Sequence, residues 1–128
     1  MTGGMDNPVE VAFSRGGERF FSTTFLVNPG GGQRDGIIHA VYGGIYGKAN
    51  AVTDDHVHTS PELMPVLVHL GPAAACGLVR YESEAWGPAY RDNLFATSFN
   101  LRKVTRHVLT ADGATFKATN EDFLVCDS

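Results

Sequence analysis

Asp54, Asp55, His56 and His58 form the densest group of potentially reactive side chains in the sequence. Two carboxylates and two imidazoles so close together match the donor types of a divalent metal site. In an extended segment His56 and His58 fall on one face. No further ligand pair of recognisable spacing occurs elsewhere, and polar loops also carry such groups as ordinary solvated side chains. Gly30-Gly31-Gly32 fits a phosphate cradle by residue type, but GxxxxGK[ST] is missing and no helical pattern follows. Cys76 and Cys126 stand in no metal-type spacing. They read as small core hydrophobes, with pairing left open should the compartment be oxidising. His39, His69 and His107 lie in strand-like runs, where a hydrogen-bonded structural histidine is the simpler reading.

The elements that position these groups are strands. Residues 76–81, 93–99 and 103–109 are rich in Val, Leu, Phe, Tyr and Thr, which suit a pleated, half-buried surface. Gly87-Pro88 and Asp112-Gly113 punctuate them as turns, and residues 100–102 leave room only for a hairpin connection. In the third run Lys103, Thr105 and His107 alternate with Val104, Arg106 and Val108. Further strands are expected at 115–119 and 122–125. Upstream, strands are expected at 9–14, 19–26, 36–42 and 65–70, joined by the glycine turn Gly16-Gly17, the loop 28–36 and a polar stretch at 45–62. Helical periodicity is weak throughout.

The two halves answer each other. Residues 8–13 (PVEVAF) match 76–81 (CGLVRY), and 19–25 (RFFSTTF) match 93–99 (NLFATSF). The sequence therefore predicts an all-β chain of two repeated four-stranded antiparallel units, 1–71 and 72–128, meeting near Gly71-Pro72. Repeats of this size suit β-propeller blades, and an eight-stranded sandwich fits the pattern as well.

Composition narrows the function. The chain has 128 residues, 43% hydrophobic and 19% charged, enough apolar content for one folded domain. Its net charge of −4 argues against general nucleic-acid or membrane-surface binding. No apolar run approaches the roughly 20 residues that span a bilayer, and MTGGMDNP has no apolar core of a signal peptide.

The segment Asn7-Pro8-Val9-Glu10-Val11-Ala12-Phe13, followed by Gly17 and a strand, resembles a blade opening in the soluble glucose/sorbosone dehydrogenases. Arg34-Asp35-Gly36-Ile37-Ile38 with Tyr42-Gly43-Gly44-Ile45-Tyr46-Gly47 is similar to a later segment of that blade. The match at Gly71-Pro72, Cys76-Gly77-Leu78, Tyr81 and Tyr90-Arg91-Asp92-Asn93-Leu94-Phe95 is the most specific, because types and spacing both hold. It is closer still to the membrane-bound dehydrogenase-like variant often fused to haem c domains.

The resemblance implies two of the six blades of a propeller that oxidises sugars or alcohols with pyrroloquinoline quinone (PQQ) and calcium. It implies a periplasmic or secreted parent, with the remaining blades and a haem c domain as partners. The catalytic histidine would belong to a blade outside this chain, so the fragment would not be catalytically complete. A degenerate propeller serving as a carbohydrate- or protein-binding scaffold is the alternative. The blade opening carries over one cofactor-binding residue, Asn7; the family's arginine before it is Asp6 here. Calcium would be held partly by backbone carbonyls that align near Phe25 and Leu26.

Overall fold

The structure, a computed structural model, describes residues 2–25, 33–47 and 62–127. Among the described residues eight strands run in chain order: β1 (Asn7–Phe13), β2 (Arg19–Thr24), β3 (Asp35–His39), β4 (Val68–Gly71), β5 (Ala75–Arg80), β6 (Leu94–Ser98), β7 (Lys103–Asp112) and β8 (Thr115–Val125). They form two four-stranded sheets, ordered β1-β2-β3-β4 and β5-β6-β7-β8, with every strand antiparallel to its neighbour. A sandwich would exchange strands between its sheets through Greek-key connections. Among the described residues each sheet consists of four consecutive strands, with no such exchange.

Local chemistry explains the connections. Gly113 has φ 62°, which a non-glycine residue adopts only at a cost, so Asp112-Gly113 closes the β7–β8 hairpin tightly. Gly36 serves a different need. A Cβ there would lie 2.4 Å from the Val68 carbonyl oxygen, so its absence lets β3 and β4 approach. Among the described residues the one helical turn is the short 3-10 element Pro88–Tyr90.

The core lies between the sheets. Ala12, Phe20, Ile37 and Val68 of the first sheet meet Leu78, Leu94 and Ala96 of the second, with Leu109, Phe116 and Ala118 at its rim. Fully burying a side chain such as Phe20 or Ile37 contributes about 1.5–3 kcal/mol. The other face of the first sheet carries its own cluster of Phe25, Ile38, Ala40 and Tyr46, packed by Met5, Phe21, Met64 and Val66. The other face of the second sheet is open. Trp86 stacks on Tyr81 with centroids 4.5 Å apart, and Phe95 meets Phe123 edge-on. Val79, Trp86 and Leu124 around them are exposed.

The structure amends several expectations. β3 ends at His39 rather than at residue 42, where the Tyr46 hydroxyl donates to the His39 carbonyl. β4 begins at Val68, three residues past the expected start. β8 is one strand where two fragments were expected. Cys76 and Cys126 are free and exposed, so neither is a core residue. His69 is also exposed, unlike His39 and His107. Asp54, Asp55, His56, His58, Leu26 and the triple glycine lie outside the described residues.

Candidate functional site

Meander topology brings odd-numbered strand starts and even-numbered strand ends to one end of the sheets. Asn7 opens β1 there and pairs with Thr24, the last residue of β2; Phe25 follows at once. Asn7 is exposed, whereas Phe25 is buried and donates its amide to the Arg34 carbonyl. The two predicted site residues that can be placed are thus neighbours at this end.

The group that organises this end is Asp35, fully buried at the start of β3. One carboxylate oxygen accepts the Thr24 hydroxyl at 2.7 Å and the other accepts the Ala74 amide at 2.9 Å. Ala74 sits in the link between the sheets with φ 47°, so the carboxylate holds a strained connection in place. The Ala73 and Ala74 carbonyls in turn accept the Asn100 and Phe99 amides of the β6–β7 turn. Arg34 lies 3.7 Å from Asp35, and its Nε has no hydrogen-bond partner among the described residues.

These residues do not fit a tricarboxylate quinone. At the opening of β1 the exposed side chains are Asp6 and Asn7, one of them anionic, and the Arg34 guanidinium is directed to Asp35. Nor do the described residues complete a calcium shell, which takes six to eight oxygens. Both Asp35 oxygens are already engaged, and no group of three or more His, Cys, Asp or Glu side chains converges among the described residues.

Two histidine networks line the seam between the sheets. His39 bridges them: its Nε2 meets Glu18 Oε2 and its Nδ1 meets Thr115 Oγ1, both at 2.9 Å, while its ring contacts Phe20 and Phe116. Farther along, His107 is 1% exposed and lies between Thr105 Oγ1 at 2.9 Å and Asn120 Oδ1 at 2.8 Å. Burial pushes the His107 imidazole below the usual histidine value, opposed by the Asn120 hydrogen bond. Thr105, His107 and Asn120 line a cleft of about 350 Å³ with Lys103 and Asp122, facing Val68, His69 and Leu70 of β4.

Sequence reasoning missed Asp35 and this cleft as features. The alternation of Lys103, Thr105 and His107 on one strand face was the available signal for the cleft. Nothing local signals that Asp35 reaches a backbone amide 39 positions away.

The fold is all-β, made of sequentially wound four-stranded antiparallel units of the β-propeller blade type. In a comparison with solved structures it resembles a protein from Thermus thermophilus proposed to be an oxidoreductase (glucose dehydrogenase), with 20% identity and a TM-score of 0.68. The match covers 96% of this chain and 34% of that one, so this chain spans about a third of its length. No family model matches the chain, and no curated protein does.

Proposed function

We propose that this chain is two blades, 1–71 and 72–128, of a six-bladed propeller of the glucose/sorbosone dehydrogenase type. The parent is then a larger oxidoreductase-like protein to which these blades contribute walls and not the catalytic base. The observation that carries it is the open aromatic face of the second sheet. The first sheet is covered on both faces, one of them by its successor in the chain. The second sheet exposes Trp86 at 52% and Val79 at 58% where a third sheet would continue the stack. The likeness to a glucose dehydrogenase-like structure three times as long supports the same reading. Sugars or alcohols are the substrate class this implies, in a periplasmic or secreted parent that can carry a haem c domain.

Asp6 favours a second reading, in which the parent keeps the propeller as a binding scaffold and has lost or altered PQQ binding. At about 4 Å and an effective dielectric near 20, one unit-charge contact is worth roughly 4 kcal/mol, so replacing a cation by an anion works strongly against a tricarboxylate. The test is to reconstitute the parent protein with PQQ and calcium and to follow sugar-dependent dye reduction. Turnover with tight quinone binding supports the dehydrogenase. A folded protein without either supports the scaffold.

A further inference from the structure

The buried face of β7 raises a question that the propeller reading leaves unanswered. Lys103, Thr105 and His107 point into the seam between two apolar sheets, and β8 adds Asn120 and Asp122 opposite them. Buried polar groups are costly unless they bond to one another. Their bonding fixes one proton arrangement. Asn120 Oδ1 is only an acceptor, so His107 Nδ1 carries the proton. Nε2 then presents its lone pair, and the Thr105 hydroxyl is the donor to it at 2.9 Å. The hydroxyl's other acceptor, the Ala96 carbonyl, is farther at 3.4 Å.

Hydroxyl, neutral imidazole and orienting amide are connected as nucleophile, general base and orienting group. All three line one cleft, with the Lys103 ammonium at its wall, 2.8 Å from Asp122. We propose that Thr105, His107 and Asn120 form a nucleophilic site that accepts an acyl group from a small ester entering this cleft. The Thr105 Oγ1–carbonyl bond forms as the hydroxyl proton passes to His107 Nε2. The carbon–oxygen bond to the leaving group then breaks, and the imidazolium returns the proton to the departing oxygen. Water attacks the acyl-threonine by the same route and restores the site. Asn120 holds the ring in the required tautomer and is a positioning residue. Lys103, held by Asp122, lines the same cleft. This inference does not depend on the dehydrogenase reading.

The experiment treats the purified parent protein with p-nitrophenyl acetate and maps the adduct by peptide mass spectrometry while following nitrophenolate release. An acetyl group is expected on Thr105, on the peptide that carries β7. Its formation should rise with deprotonation of His107 and level off at a lower pH than an ordinary histidine would give, because burial favours the neutral ring. Acetylation of lysines instead keeps rising into alkali. Thr105→Ser should keep the adduct. Thr105→Val, which preserves shape, and His107→Gln should each cut it by at least about 100-fold, with circular dichroism unchanged for the valine variant. Adducts confined to lysines, cysteines or the N-terminus would overturn the proposal, as would an unchanged rate in Thr105→Val.

Discussion

The Asp35 carboxylate accepts the Ala74 amide at 2.9 Å and thereby fastens the first sheet to the link that starts the second. Its other oxygen holds the Thr24 hydroxyl, so one buried anion organises three segments. Asp35→Ala should lower stability by about 3 kcal/mol, since hydrogen bonds to charged groups are worth about 1.5–3 kcal/mol each and their donors would be left unsatisfied. Asp35→Asn keeps one acceptor and should lose less. Urea melts of the three proteins check the order; an asparagine variant as stable as the parent would refute it.

Gly36 should tolerate no side chain. The 2.4 Å approach of a Cβ to the Val68 carbonyl meets backbone, which cannot swing aside. Gly36→Ala is expected to cost about 1–3 kcal/mol by overpacking and to weaken the β3–β4 pairing first. Hydrogen exchange at Val68 and His69 would show this, and unchanged protection there would count against it.

Burial of His107 makes stability fall in mild acid. Its folded value lies below 6.5, so the unfolded chain takes up the proton first. The contribution is therefore whole above pH 6.5 and is lost as the pH falls from there through the folded value. The urea midpoint should drop as the pH falls below 6.5, and the drop should be smaller in His107→Gln. Equal slopes for the two proteins would remove His107 as the cause.

Asp6→Arg should raise the affinity of the parent protein for PQQ, by restoring attraction where the carboxylate repels. Titration followed by quinone fluorescence or calorimetry tests this at low and high salt, because a charge effect must weaken as salt screens it. No gain at low salt would show that other changes at this end dominate.

The open face around Tyr81, Trp86, Phe95 and Phe123 should make the isolated chain associate with itself, since repeat units of this kind need neighbours to be stable. Trp86→Ser should shift gel filtration toward monomer. An isolated chain that elutes as a monodisperse monomer would contradict the expectation.

The meander was legible because its turns are local: Asp112-Gly113 and the loop before Asn93 declare themselves, and the halves repeat. The expectation of two strands, 115–119 and 122–125, breaks at the polar residues Asn120 and Glu121, yet β8 runs on through them. The side chains there are satisfied from β7: Asn120 by His107, Glu121 by Arg106 and Asp122 by Lys103. Cys76 and Cys126 were misread because a cysteine's burial depends on where its strand sits, and both fall at exposed strand ends. Asn7 and Phe25 could be matched only through the family resemblance, and their adjacency came with the β1–β2 register. Asp35 was hidden because its partners lie in segments that only the fold brings together.

The pairing of consecutive strands has a kinetic consequence. Within each sheet every described strand pairs with its sequence neighbours, so the hydrogen-bonded ladders can close one hairpin at a time. β7 and β8 close through a minimal turn and should zip within about 1–10 μs. β3 and β4 must first bring together the ends of the long excursion between His39 and Val68, and closure entropy grows with the logarithm of that length. The second sheet should thus form early, with its aromatic face bare while the first is still incomplete. During synthesis in an N-to-C direction β3 emerges well before β4, which leaves that edge of the first sheet waiting for its partner.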